Sequence, residues 1–248
     1  MRALRFTSLI VPASLIFLLM PAAQAAEPAT AVATAVDPSR PGQLFGVRRG
    51  VAKSALSGRI AAAHSYVVRV DRGLVPGRRT YGVAEIAILT QDQEQLVWCV
   101  PAATRAVLSA FVKNLPSQSY LALLEGTDDL GTYLDRVPAV LNHYQNRVRY
   151  ESRNSRTMTE YREAVRTDVD VYRAPLILAI DPANAPWYRK MSLLSGSHAI
   201  VAYGYAFTPR FAGISVWDPS GLQVAGRQIA AVGDLWLAGN NLNHPVVW

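Results

Sequence analysis

The sequence predicts an α+β fold, helical in its first half and stranded in its second. Half of the 248 residues are hydrophobic and 17% are charged, the composition of a chain that buries a core. Segments with helical apolar spacing come first. Short runs rich in Val, Ile and Tyr, divided by turn residues, come after residue 175. Segregated helices and strands point to α+β rather than to a parallel α/β sheet.

The elements follow in order. Met1–Ala25 reads as a signal peptide: Arg2 and Arg5 supply the positive start, Phe6 to Met20 is almost wholly apolar, and Ala23-Gln24-Ala25 is a small-x-small cleavage site. Its removal takes two arginines and lowers the formal charge from +7 to +5. No later apolar run is long enough to span a bilayer, so the expectation is an exported chain, secreted or periplasmic, with no integral membrane segment after processing. Residues 26–83 read as a linker or a removable propeptide, and the part after Gly42 equally as an extra strand pair or a docking arm. Ala26 to Gly42 is low in complexity, Phe45 to Ala63 suits a short amphipathic helix, and Tyr66 to Val70 alternates weakly.

The domain itself is expected over 84–248. Ala84 to Leu89 reads as a strand. Cys99 to Lys113 reads as a helix with Pro101 in its first turn, where a missing N–H is harmless. Leu130 to Gln145 reads as a second helix that Pro138 kinks or divides. Thr157 to Val169 is a third, opened by a Thr157/Glu160 capping box. Strands are expected at Pro175 to Ile180, His198 to Tyr205 and Gly213 to Trp217. The last is closed by the turn Asp218-Pro-Ser-Gly221, with shorter strands at Leu222 to Gln228 and Leu235 to Leu237.

Several function classes recede at once. The chain has one cysteine, so no internal disulfide forms, and His64, His143, His198 and His244 are too scattered for a metal cluster. No metal or organic cofactor is expected. The positive charge is thinly spread, mostly as arginine, with no long basic run, so no nucleic-acid partner is expected.

Cys99, His198 and Asp218 fall where chemistry would want them. Cys99 opens a helix, and a helix N-terminus favours an anionic thiolate. His198 opens one strand and Asp218 ends the next. If those strands are neighbours, the carboxylate can orient the imidazole and the imidazole can face the thiol, as a nucleophile, base and orienter. An oxyanion donor is also required. The Cys99 N–H and an amide from Gln91, Gln93 or Gln95 are candidates. Read singly, each residue has a plainer explanation: a buried thiol, a strand histidine, a turn aspartate and a polar loop.

The segment Gln93-Glu-Gln-Leu-Val-Trp98-Cys99-Val-Pro-Ala-Ala resembles the active-site segment of papain-like cysteine peptidases, most closely the branch similar to the bacteriocin-leader (double-glycine) processing peptidases. Gly-Ser-His198-Ala-Ile-Val-Ala-Tyr-Gly204-Tyr resembles the family's histidine strand, and Val216-Trp-Asp218-Pro219 its Asp-Pro element, where papain carries asparagine. The likeness runs from about Ala84 to Gly221. It implies a helical part carrying the nucleophile, packed on an antiparallel sheet carrying His and Asp. It also implies Gln93, six positions before Cys99, as the oxyanion amide. The implied activity is peptide-bond hydrolysis through a thioester acyl-enzyme, with a peptide or protein as substrate. Val100 departs from the glycine usual after the nucleophile. A transglutaminase-like acyl transferase and an inactive binding module of the same fold remain alternatives. Specificity and oligomeric state are not legible.

Of the other residues, Trp98 suits either the cleft or the core. His143 on a helix and His244 in a C-terminal loop suggest surface positions. Arg48-Arg49 and Arg78-Arg79 read as solvated loop charge or maturation points, and Trp236 and Trp248 as packing for the C-terminal strands.

Overall fold

A computed structural model describes residues 81–191 and 196–248, together with the backbone of 47–48. The chain clusters into two units, Met1–Asp37 and Pro38–Trp248, and every described residue lies in the second. The expected signal peptide, the low-complexity segment read as a linker, the weakly alternating 66–70, His64, Arg49 and Arg78-Arg79 lie outside the described residues. Within the helix expected over 45–63, Val47–Arg48 is instead a strand, β1.

Helices pack on an antiparallel sheet, as the segregation of patterns predicts. The strands are β2 (Gly82–Glu85), β3 (Thr132–Tyr133), β4 (Ser152–Asn154), β5 (Leu176–Ile180), β6 (His198–Phe207), β7 (Ala212–Asp218), β8 (Gly226–Ala231) and β9 (Pro245–Val247). β1 and β3 pair in parallel, apart from the main sheet. The main sheet runs β4-β9-β5-β6-β7-β8, with β2 also on β6. β5 lies along the first half of β6 and β2 along the second. A register shift between Ala202 and Gly204 separates β6's first pairs with β7 from its later ones. A Cβ on Gly204 would stand 2.6 Å from Glu85 Cγ and 2.9 Å from the Ala84 carbonyl, so only glycine lets β2 approach there.

β5 is buried at all five positions and β6 at nine of ten, on both alternating faces, so helices must cover the sheet on both sides. The helices are α1 (Cys99–Leu108), α2 (Gln118–Glu125), α3 (Val137–Tyr144), α4 (Met158–Thr167) and α5 (Val232–Gly239). α1, α2 and α3 pack on one another, with α1 against β5 and β6; α4 and α5 pack together, α4 on β6 and α5 on β5, β7 and β8. Every residue of α1 except Arg105 is buried. A helix apolar on all sides belongs in a core.

Several expectations change with the structure: the strand expected at Ala84 to Leu89 is instead Gly82–Glu85, and the helix expected to reach Lys113 ends at Leu108. Leu130 to Gln145 is not one helix: a turn, β3 and a 3-10 turn (Leu134–Arg136) precede α3, and Pro138 sits in α3's first turn rather than kinking its middle. Leu235 to Leu237 belongs to α5, where a short apolar run packs as helix. The strand expected at Leu222 starts only at Gly226. His244 is not a surface residue: it is 8% exposed and stacked on Trp236 at 3.3 Å between ring centroids. The Thr157 cap forms, accepting from the Glu160 N–H at 3.1 Å, while Glu160 reaches back to the Arg156 N–H at 2.8 Å.

Candidate active site

Strand register explains why His198 and Asp218 meet. Val201 pairs with Trp217 and Ala202 with Val216, so continuing the ladder sets Asp218 opposite Ile200. Residues two apart share a face, so His198 is the diagonal neighbour of Asp218 on the same face. The side chains meet at 2.7 Å, His198 Nε2 to Asp218 Oδ1, with both residues 0% exposed. Cys99, also 0% exposed, stands at the first position of α1, which lies against β6, and its side chain interacts with the His198 imidazole. His143 is exposed on α3, away from this cluster.

The electrostatics follow from burial and pairing. Burial alone would pull the His198 pKa down. The Asp218 charge and hydrogen bond, with a smaller contribution from Cys99, outweigh it and raise it from 6.5 to about 9. Asp218 is buried too, which favours its neutral form, but His198, the Ser220 N–H and the Tyr188 hydroxyl hold its pKa below the usual value. An imidazolium–carboxylate pair is the favoured state at neutral pH.

Asp218 is ringed by donors. Oδ1 accepts from His198 Nε2 and from the Ser220 N–H at 3.0 Å. Oδ2 accepts from Trp187 Nε1 and from the Tyr188 hydroxyl, each at 2.8 Å. The Ser220 contact is an Asx-turn, foreshadowed by Asp-Pro-Ser-Gly. Trp187 and Tyr188 were not anticipated. They lie in a 3-10 turn, Pro186–Tyr188, on the connection between β5 and β6, and only an aromatic pair after Pro186 marked them in sequence.

The three glutamines before Cys99 separate by role. Gln91 accepts from Arg105 and donates to Glu94 Oε1 at 3.0 Å, bracing the loop. Gln95 is exposed and offers its backbone carbonyl to Trp98 N. The Gln93 backbone N–H donates to the Pro219 carbonyl at 2.7 Å, which ties the loop before the nucleophile to the turn after Asp218. Its side-chain Nε2 donates to the carbonyls of Gln95 (3.0 Å) and Leu96 (2.7 Å). The structure thus brings Cys99, His198 and Asp218 together, while the Gln93 amide is engaged by its own loop. Gln118, fully buried on α2, clamps that loop by accepting from the Glu94 N–H at 3.0 Å and donating to the Asp92 carbonyl at 2.8 Å. Its place at the first position of a helix just after the Ser117 cap carried no signal of this role in the sequence.

Among the described residues no three His, Cys, Asp or Glu side chains gather as metal ligands, and no helix is long and apolar enough to cross a membrane. A surface cavity lined by Ala183, Asn184, Arg189, Leu237, Asn240 and Asn241 does not include Cys99, His198 or Asp218.

No protein-family model matches the sequence, and no curated protein matches it. Solved structures with a similar fold include a C39-like peptidase from Bacillus anthracis (TM-score 0.48, 10% identity, covering 67% of this chain and 96% of that one). Procathepsin L 3 of the Tenebrio molitor larval midgut gives 0.45 and 11%, covering 74% and 77%. UfSP from C. elegans gives 0.39 and 12%, covering 71% and 35%. These likenesses are distant, and the functional reading below stands on the geometry of the site.

Proposed function

We propose that this chain is an exported, papain-like cysteine peptidase acting on peptides or proteins. One observation carries the reading: a cysteine at a helix N-terminus interacts with a buried histidine whose far nitrogen bonds a buried carboxylate. Asp218 holds the His198 proton on Nε2 and leaves Nδ1 for Cys99. With the imidazolium favoured, His198 already holds the thiol's proton on Nδ1; Cys99 attacks the substrate carbonyl as the thiolate, and His198 then gives that proton to the leaving amine. Water, deprotonated by His198, opens the resulting thioester and releases the acid. The Cys99 N–H, at the first helical position, has no intrahelical acceptor and suits the oxyanion. Gln93 joins it when one of its loop bonds is shared or released. Cys99 is fully buried, so turnover requires local opening above the sulfur.

The test is a peptide-library digestion with the intact chain and Cys99→Ala. Cleavage that disappears in a variant with unchanged circular dichroism is the expected result. Cleavage that persists in Cys99→Ala refutes the mechanism. An added amine that diverts product from free acid to amide replaces hydrolysis with acyl transfer.

A further inference from the structure

A carboxylate only accepts hydrogen bonds, and that fixes the direction of every contact around Asp218. Tyr188 has one hydroxyl proton and gives it to Oδ2. The 2.7 Å contact between Tyr188 Oη and Ser220 Oγ therefore has Ser220 as donor. Ser220 Oγ in turn accepts from the Leu222 N–H at 3.3 Å. The result is a one-way chain, Leu222 N–H to Ser220 to Tyr188 to Asp218, in which each bond polarises the next. Trp187 Nε1, which can only donate, holds the same oxygen. Tyr188 is 1% exposed and packs edge-on to the His198 ring at 6.5 Å between centroids. The turn carrying both aromatics sits on the β5–β6 connection, and it reaches across the start of β6 to the end of β7.

We propose that Tyr188 and Trp187 are positioning residues of the proposed peptidase: they pin the outer oxygen of Asp218 so that its inner oxygen stays on His198 Nε2 and Nδ1 stays turned to Cys99. This inference rests on the peptidase reading for its kinetic consequence, but not for its structural one. Neither residue touches the reacting atoms. They act through Asp218, keeping it anionic in a site where burial favours the neutral acid. They also keep the carboxylate from rotating about its Cβ–Cγ bond.

The experiment compares Tyr188→Phe, Trp187→Phe and Ser220→Ala with the parent chain. Its first readout needs no substrate: ¹⁵N shifts of the His198 imidazole across pH in the intact protein, assigned with His198→Gln. The parent is expected to show the Nε2–H tautomer when neutral. Tyr188→Phe and Trp187→Phe are expected to populate the Nδ1–H tautomer and to let Asp218 protonate at higher pH, with Ser220→Ala weaker than either. The second readout is kinetic. Losing one donor to a buried charge predicts a fall in kcat of roughly tenfold to a hundredfold with KM little changed, and an acid limb displaced to higher pH. Unchanged shifts and an unchanged acid limb in both aromatic variants, even with a lower Tm, overturn the proposal and reduce the pair to packing. If buried Tyr188→Phe fails to fold, half-buried Trp187→Phe decides the matter. A parent chain with no peptidase activity sinks the function proposed above, while the ¹⁵N result still judges this inference.

Discussion

Asp218→Asn is the most informative single perturbation, because the surroundings of Asp218 are built for a group that only accepts. The change is nearly isosteric, but it replaces an acceptor-only group with one that must donate on one side. All four neighbours of Asp218 donate. If the new NH₂ takes the Oδ2 place, it meets Trp187 Nε1–H, which cannot accept. If it takes the Oδ1 place, it meets the Ser220 N–H and forces the His198 proton onto Nδ1, towards Cys99. Either way a buried donor is stranded, costing about 1–3 kcal/mol. The lost charge matters at least as much. Raising His198 from 6.5 to about 9 corresponds to stabilising its charged form by on the order of 3 kcal/mol. Breaking a buried pair typically costs about 3–5 kcal/mol, which includes rather than adds to these figures.

The sign of the pH dependence is definite. His198 is raised on folding, so its contribution is full below 6.5 and is lost as pH rises through about 9. The depressed Asp218 contributes above its unfolded value of 3.8 and loses that contribution as pH falls through its lower folded value. Urea unfolding at about pH 6 should therefore show Asp218→Asn destabilised by about 3–5 kcal/mol, with the gap closing towards about pH 10. In a Trp187→Phe background the penalty should shrink, since one clashing donor is gone. A loss below about 1 kcal/mol at pH 6, or one that grows with pH, would refute the reasoning.

Two further predictions concern the scaffold. Glu125 on α2 is fully buried and bonds only Thr104 Oγ1 through its side chain, at 2.5 Å; burial lifts its pKa from 4.5 to about 8. Its contribution to stability is therefore present below 4.5 and lost as pH rises through about 8. Tm should fall across that window and fall less in Glu125→Gln, with buried Asp168, also raised to about 8, keeping part of the slope. Parallel Tm curves for the two proteins would contradict this. Gln118→Leu removes the clamp on the loop bearing Gln93 and strands the Glu94 N–H and the Asp92 carbonyl. It should cost about 1–3 kcal/mol in urea and lower kcat more than it raises KM; a variant as active as the parent would separate the loop from catalysis.

Some of this protein was determined by local sequence. The helix opening at Cys99, the Thr157 cap, the strand that begins at His198 and the one that ends at Asp218 all follow from periodicity, capping and turn chemistry, which act over a few residues. That is why the α+β class, and the three residues of the candidate site, could be picked out before the fold was known. Elements whose state depends on what they pack against were not. Leu235 to Leu237 suits strand or helix equally until α5 lies on β5, β7 and β8, and His244 looks like a surface residue until Trp236 stacks on it. The donors around Asp218 show the same division more sharply. Ser220, two residues away, is implicit in the turn. Trp187 and Tyr188, about thirty residues earlier, reach the carboxylate only because the sheet order sets β6 between β5 and β7 and the connection crosses over it. Local sequence singled out Cys99, His198 and Asp218; only the tertiary fold could gather the donors around Asp218, because their meeting depends on strand order rather than on spacing along the chain.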